Sequence, residues 1–587
     1  MSWLRAPFFL LPSLQGRGWG WVRGAAARAR AVKRDNRGIE PRLSQPTPNP
    51  SLAGRGILWA ALLLASPAHA QQLPPEQAAL EAHVRFLASD ALRGREAGTH
   101  EYDIAAEYVA AQMLALGLKP GAEGSWFQPV GLAAYKPAEK AKWTLTRGGT
   151  AIPLQFGIDF VNQGIATTPA FAAEGQIVFA GYGLVYPEGK RDDYRGLDVR
   201  GKIVAIYAGV PEGLPGEVAA HLGDDDQKAR LAAARGARAV VIVESLERRS
   251  EFPIEAMAPY YDFERTTWIG ADGKAHILSP GAPVVGLLGQ AGAEKLFAGS
   301  RIRWRDVLGA ELSGTRMPTG PLAGTLKVAA KTNVRTTRSS NVVGILPGSD
   351  PALRGEFVVL SAHLDHMGVG EPEKGDAIYN GALDNAAGVA AMLEVAHAFQ
   401  ASGKPPRRSI LFVALTAEEK GLVGSSYFAA RPGLPAGGAL VADINLDMPI
   451  LTYPLQDIVV LGGERSSLGA AYAAAAAAEG LRVVPDPAPE EMFFVRSDHY
   501  SFVQAGVPAV SIDSGPGGPG AAAQQEFLAS HYHKPSDDLS LAIDWAAAAK
   551  FTRVNYAAAR AIADADARPR WNKGDFFGVA FGGHGAR

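Results

Sequence analysis

Four short segments, each ending in side chains able to bind a cation, constrain this chain more than anything else in its 587 residues. Phe357-Val358-Val359-Leu360-Ser361-Ala362 runs into His363, Leu364, Asp365 and His366. Gly381-Ala382-Leu383 runs into Asp384 and Asn385 at the head of an alanine-rich helical pattern. The apolar stretch from Ile410 ends on Glu418 and Glu419, and the one from Leu440 ends on Asp447. Long apolar runs suit strands buried on both faces, as in a parallel sheet covered by helices. Ligands of such sheets collect at the carboxyl ends of the strands, where these acids and the histidine stand. The pattern predicts a metal site and metal-dependent hydrolysis.

Composition narrows the choice of metal. The chain has no cysteine, which excludes thiolate ligands, disulfides and a cysteine nucleophile together. A bound ion must therefore be held by imidazole and carboxylate, a set that suits zinc and also admits harder divalent cations. With 47% hydrophobic and 20% charged residues and a net charge of −1, the make-up is that of a globular protein. No charge excess calls for nucleic acid or a membrane surface as a partner. The length exceeds one hydrophobic core and predicts two or three domains with an N-terminal addition.

In chain order, residues 1–54 are rich in Arg, Pro and Gly without apolar periodicity. They are expected to be disordered, or an over-long N-terminus if translation starts later. Arg55, the apolar run from Ile57 to Ala65 and the triplet Ala68-His69-Ala70 predict a signal peptide over 55–70 and export to the periplasm or outside the cell. The run is shorter than the roughly 20 residues of a membrane span. Residues 71–164 read as helices (Glu76 to Leu87, Glu101 to Leu116) and strands of the main domain, with Asp90 and Arg93 between them as a cap and a surface ion pair. Over 165–325 short strands alternate with Gly/Pro turns, and Asp224-Asp225-Asp226 reads as the acidic start of a helix. Over 326–565 strands and helices alternate, and 566–587 reads as a tail. The predicted class is α/β: a mostly parallel central sheet with helices on both faces, plus an inserted small β-rich domain.

Five segments carry a resemblance: Ser361 to Gly368 (SAHLDHMG), Gly381 to Gly388 (GALDNAAG), Thr416 to Ser425 (TAEEKGLVGS), Asn445 to Met448 (NLDM) and Tyr532 to Asp538 (YHKPSDD). Together, in this order, they resemble the co-catalytic di-zinc aminopeptidase and glutamate carboxypeptidase family, the clan MH metallopeptidases. Gly181-Tyr182-Gly183, Asp193 to Lys202 and Lys228 to Ala237 resemble the protease-associated domain, an insert that shapes substrate access in that family. The resemblance implies a zinc exopeptidase fold and two zinc ions per chain. Asp384 would bridge them, with His363 and Asp447 completing one site and Glu419 and His533 the other. Asp365, two positions beyond His363, is expected to accept the second imidazole N–H and hold the ring. Glu418 is the expected general base and then acid to the leaving amine, acting on water whose pKa bound zinc lowers to about 7. In the family the peptide bond after the bridging aspartate is cis. A tyrosine that helps bind the oxyanion in small secreted members corresponds here to Phe494.

Taken alone, each residue has a plainer role. Asp384 is a helix cap, Glu418 and Glu419 a solvated first turn, His363 and His533 structural histidines; only their joint occurrence at strand ends argues otherwise. His366 reads as a supporting or structural histidine. His531 competes with His533, but only His533 has Asp537 at the family's offset. Ser497-Asp498-His499 cannot form a triad through adjacent side chains, and Met448, Phe493 and Phe494 line either an apolar pocket or the core. The reading is an exported aminopeptidase acting on peptides. Its rivals are a carboxypeptidase needing a basic cluster, a single-zinc glutaminyl cyclase relative, and a receptor-like protein that would have lost ligands.

Overall fold

The computed structural model describes residues 73–587, so the segment expected to be disordered and the predicted signal peptide lie outside the described residues. The main sheet is built from β1 (Phe127–Pro137), β2 (Gly320–Leu346), β3 (Glu356–His363), β4 (Ser409–Leu415), β5 (Ala439–Asn445), β6 (Asp457–Leu461) and β7 (Ala509–Ser514), with short edge strands at Arg265–Trp268 and Arg482–Val484. Across the sheet the order is Arg265–Trp268, β1, β2, β4, β3, β5, β7, β6, Arg482–Val484. Pairing is parallel from β4 through β3 and β5 to β7. It is antiparallel where β1 meets β2, β2 meets β4 and β6 meets β7. The α/β class is therefore as expected, with the parallel strands forming the centre of a mixed sheet. The reason lies in burial: β4 is buried along its whole length, whereas β2 alternates between buried and exposed positions, and only antiparallel strands tolerate one wet face.

Strand alternation sends side chains to two cores. Val358, Leu360 and Ala362 of β3 and Ile410, Phe412 and Ala414 of β4 face α1 (Ala387–Ala401) and α2 (Trp545–Asp564). Phe357, Val359, Leu411, Val413 and Leu415 face the other side, against Phe428, Phe502 and Phe577. Each large apolar side chain so buried stabilises the fold by about 1.5–3 kcal/mol. Phe577 belongs to the stretch read as a tail, and that reading fails. Trp571 is 1% exposed and its indole N–H donates to the Gly506 carbonyl at 2.9 Å. The segment is too short and glycine-rich to show periodicity, so its aromatic side chains gave no local sign of a core role.

A second sheet runs Thr150–Leu154, Trp143–Arg147, β2, Ala170–Phe179, Ile203–Tyr207, Ala239–Val243, Val284–Leu288, Phe160–Asn162. β2 serves both sheets, pairing with Ala170–Phe179 as far as Lys331 and with β1 from Thr332. The expected boundaries at 165 and 325 therefore move. Trp143–Arg147, Thr150–Leu154 and Phe160–Asn162 already lie in the second sheet, Arg265–Trp268 returns to the main sheet, and the end of the second sheet falls within a continuous strand. Asp224 caps the helix Asp225–Ala233 by accepting from Gln227 N–H at 2.8 Å, as its sequence suggests. Among the described residues no helix is long and apolar enough to cross a membrane.

Candidate metal centre

β3 lies between β4 and β5, so the chain leaves it to opposite sides on its next two returns to the sheet. That reversal opens a crevice at the carboxyl ends of the strands, the usual ligand position in open α/β sheets. His363 is the last residue of β3, Glu418 and Glu419 follow β4, and Asp447 follows β5. Asp384 enters just ahead of α1, and His533 comes from the loop between β7 and α2. His363 Nε2 lies 2.8 Å from Asp447 Oδ1 and 3.2 Å from Asp384 Oδ1. His533 Nε2 lies 3.3 Å from Asp384 Oδ2 and 3.2 Å from Glu419 Oε2. The five expected ligands thus meet, and Asp384 turns one oxygen toward each half. Two triads of ligand-type atoms lie within 4.8 Å of one another, His363–Asp384–Asp447 and His366–Asp384–Glu419. The second contains His366, which the sequence reading placed in a supporting role.

The electrostatics favour cations here. Burial alone would lower His533, but Glu419 and Asp384 outweigh it and push its imidazole up to about 10. Burial likewise opposes charge on His363, and Asp447, Glu418 and Asp384 overcome it. Burial would raise Asp384, yet His363 and His533 hold its carboxyl well below the usual range. The His363 ring N–H at Nδ1 donates to the Asp365 carbonyl at 3.1 Å, which leaves Nε2 facing the carboxylates. Protonated, that nitrogen donates to them; neutral, it offers its lone pair to a cation in the same place. The donor set of imidazoles and carboxylates fits zinc.

One expectation is corrected. The partner of His363 Nδ1 is the main-chain carbonyl of Asp365, and the Asp365 carboxylate accepts from Glu418 N–H at 3.1 Å instead. β3 ends at His363, so strand alternation no longer governs residue 365. The Asp365 carboxylate therefore positions Glu418, while the Asp365 carbonyl holds the imidazole. Glu418 itself is half-buried. Burial, with Asp447 and Glu419 adding, pushes its carboxyl well above the usual range while His363 pulls it down.

Support comes from residues the sequence gave little reason to choose. Arg95 is 0% exposed and donates to the carbonyls of Leu364 (2.7 Å), Gly381 (2.8 Å), Leu87 (3.1 Å) and Asn380. Its fork thereby ties the loop after His363 to the loop before Asp384. The only local signal was an arginine between turn-forming residues. Arg95→Met is expected to lower the urea midpoint sharply, because each buried carbonyl left without a donor costs about 1–3 kcal/mol. A wild-type midpoint would show that those carbonyls find other donors. Asp537 accepts from the Leu383 and Asp384 N–H groups at 2.9 and 3.0 Å. The Asn385 side chain brackets Asp447, donating to Leu446 O at 2.8 Å and accepting from Met448 N–H at 3.2 Å. Gly388 has to lack a Cβ, which would sit 2.1 Å from Asn385 Oδ1. The Asp384–Asn385 bond is cis, as the resemblance implies.

Among the non-glycine residues at these loops, Ala417, Met448 and His533 have φ of 54°, 47° and 54°. Such left-handed residues cost of order 1–3 kcal/mol each and persist only where surrounding contacts hold them. His531 faces Ser536 and Glu526 and is no rival to His533. Ser497 donates to Asp447 Oδ2 and accepts from Asn445 Nδ2, while His499 packs on Phe494 with rings 5.2 Å apart, so no triad forms. Phe494 is a core residue at 0% exposure, and Met448 and Phe493 are half-buried. Tyr532 stacks on the His533 ring at 3.9 Å.

Fold and site together define an α/β protein with two groups of ligand-type side chains, sharing Asp384, at a sheet switch point. Residues 341–559 match the model of peptidase family M28. The aminopeptidase NAALADL1 of Mus musculus is 31% identical over 173 residues, covering 27% of this chain and 22% of its own. The probable glutamate carboxypeptidase AMP1 of Arabidopsis thaliana is 25% identical over 322 residues, covering 49% and 39%. The chain thus spans well under half the length of these relatives. Among solved structures, an aminopeptidase from Aneurinibacillus sp. strain AM-1 aligns at 21% identity over 84% of this chain and 95% of its own, with a TM-score of 0.43.

Proposed function

We propose that the protein is a zinc-dependent exopeptidase with two ions per chain that removes N-terminal residues from peptides. The observation that carries this reading is the pair of ligand triads sharing Asp384, with Glu418 beside them. Bound zinc supplies Lewis acidity there, polarising a carbonyl and making water nucleophilic near neutral pH. Glu418, held by the Asp365 contact to its backbone N–H, takes the proton from the attacking water and passes it to the departing amine. Tyr532 supplies the hydrogen bond that Phe494 cannot. Burial, with Asp384 and Glu419 adding, pushes its phenol well up, so it remains a donor to a developing oxyanion.

The choice of the amino end rests on charge. Burial, with Asp447 adding, pushes up the carboxyls of Glu418 and Asp513 beside the ligands, and such a cluster of acids attracts a substrate's ammonium group. Arg496 is the nearby cation; it stacks over Phe493 at 5.4 Å and donates to Glu491 O at 3.1 Å. The second sheet acts as the protease-associated module that shapes access. Its helix Gly216–Gly223 rests on the loops around the site, with His221 Nδ1 2.5 Å from the Tyr500 hydroxyl. Export rests on the run from Ile57 to Ala70. The test is a zinc-loaded assay of aminoacyl substrates with free and with acetylated amines. Cleavage confined to free amines is the expected result; release of a C-terminal residue from blocked peptides would favour the carboxypeptidase reading.

A further inference from the structure

His366 is 1% exposed, and its Nδ1 lies 2.7 Å from Glu419 Oε1. Despite that distance, neither ring nitrogen makes a hydrogen bond among the described residues, nor does Glu419 Oε1. A close approach without hydrogen-bond direction is how two donor atoms meet when both point toward a third body. The other oxygen of Glu419 faces His533 Nε2 at 3.2 Å, so one carboxylate is flanked by two imidazoles. A His366 ring nitrogen also falls within 4.8 Å of an Asp384 oxygen. The fold makes room for this ring: Gly381 adopts φ +62°, and a Cβ there would sit 2.6 Å from His366 Cγ. A purely structural histidine of this burial ordinarily has a hydrogen-bonded nitrogen.

We infer that His366 is a direct ligand of the second metal position, which is then held by His366, His533, Glu419 and the shared Asp384. The first position keeps His363, Asp447 and Asp384. This rests on the reading of the centre as a paired metal site and adds that its halves are unequal. The half with two imidazoles binds its ion more tightly and fills first.

The test combines zinc titration with a crystal structure of the zinc-loaded full chain. In the crystal, His366 Nδ1 is expected at about 2.0–2.1 Å from one ion. By chelator competition, His366→Gln should weaken the tighter of two zinc-binding steps by about 10–100-fold or more, the loss already seen when mere supporting partners are removed, and leave the weaker step unchanged. A zinc-loaded wild type with His366 beyond 3 Å of either ion overturns the inference while the paired site stands. If His366→Gln fails to fold, the wild-type crystal decides alone. A wild type that takes up no zinc would sink the metal-centre reading as well.

Discussion

Glu418→Gln is expected to retain its zinc and lose about 10²–10⁴-fold in kcat, the span that general acid–base catalysis supplies. The substitution keeps the size of the side chain and the backbone N–H held by Asp365, but an amide cannot carry a proton from water to amine. Glu418 belongs to neither ligand triad, so metal content, read by elemental analysis after dialysis, should match the wild type. A parallel fall in kcat and kcat/KM would mark an interaction made in the transition state. Turnover at the wild-type rate with zinc bound would take the general base away from Glu418.

Asp384→Ala should cost the protein both ions. Each triad includes Asp384, and its two oxygens face His363 and His533 separately, so one truncation removes a donor from each half. Asp447→Ala touches one triad alone and should leave about one equivalent bound, by the same ligand count. The contrast is also visible in unfolding. A ligand at a hundred times its Kd stabilises the folded state by about 2.7 kcal/mol, so zinc should raise the wild-type melting temperature and leave that of Asp384→Ala unmoved. Full zinc occupancy in Asp384→Ala would contradict a shared ligand.

The central strands and the ligand types were legible because both write themselves locally. β3 and β4 are apolar on both faces, so their burial shows as unbroken runs, and a charged or imidazole side chain at the end of such a run needs a reason. The antiparallel flanks, the double duty of β2 and the packed end of the chain left no such mark. Trp571 and Phe577 fill a core whose other wall comes from strands far earlier in the chain. Inference by spacing failed at Asp365 because it assumed a strand that stops two residues sooner.

From the sequence alone came the α/β class, the absence of thiolate ligands and the five residues His363, Asp384, Glu419, Asp447 and His533. Only the tertiary structure decided that a carbonyl orients His363, that Arg95 and Asn385 hold the loops together, that His366 stands against Glu419, and that Ala417, Met448 and His533 are left-handed. The physical reason is range. Periodicity and propensity act over a few residues along the chain, whereas these contacts depend on which strands become neighbours, and that is set by the whole core at once.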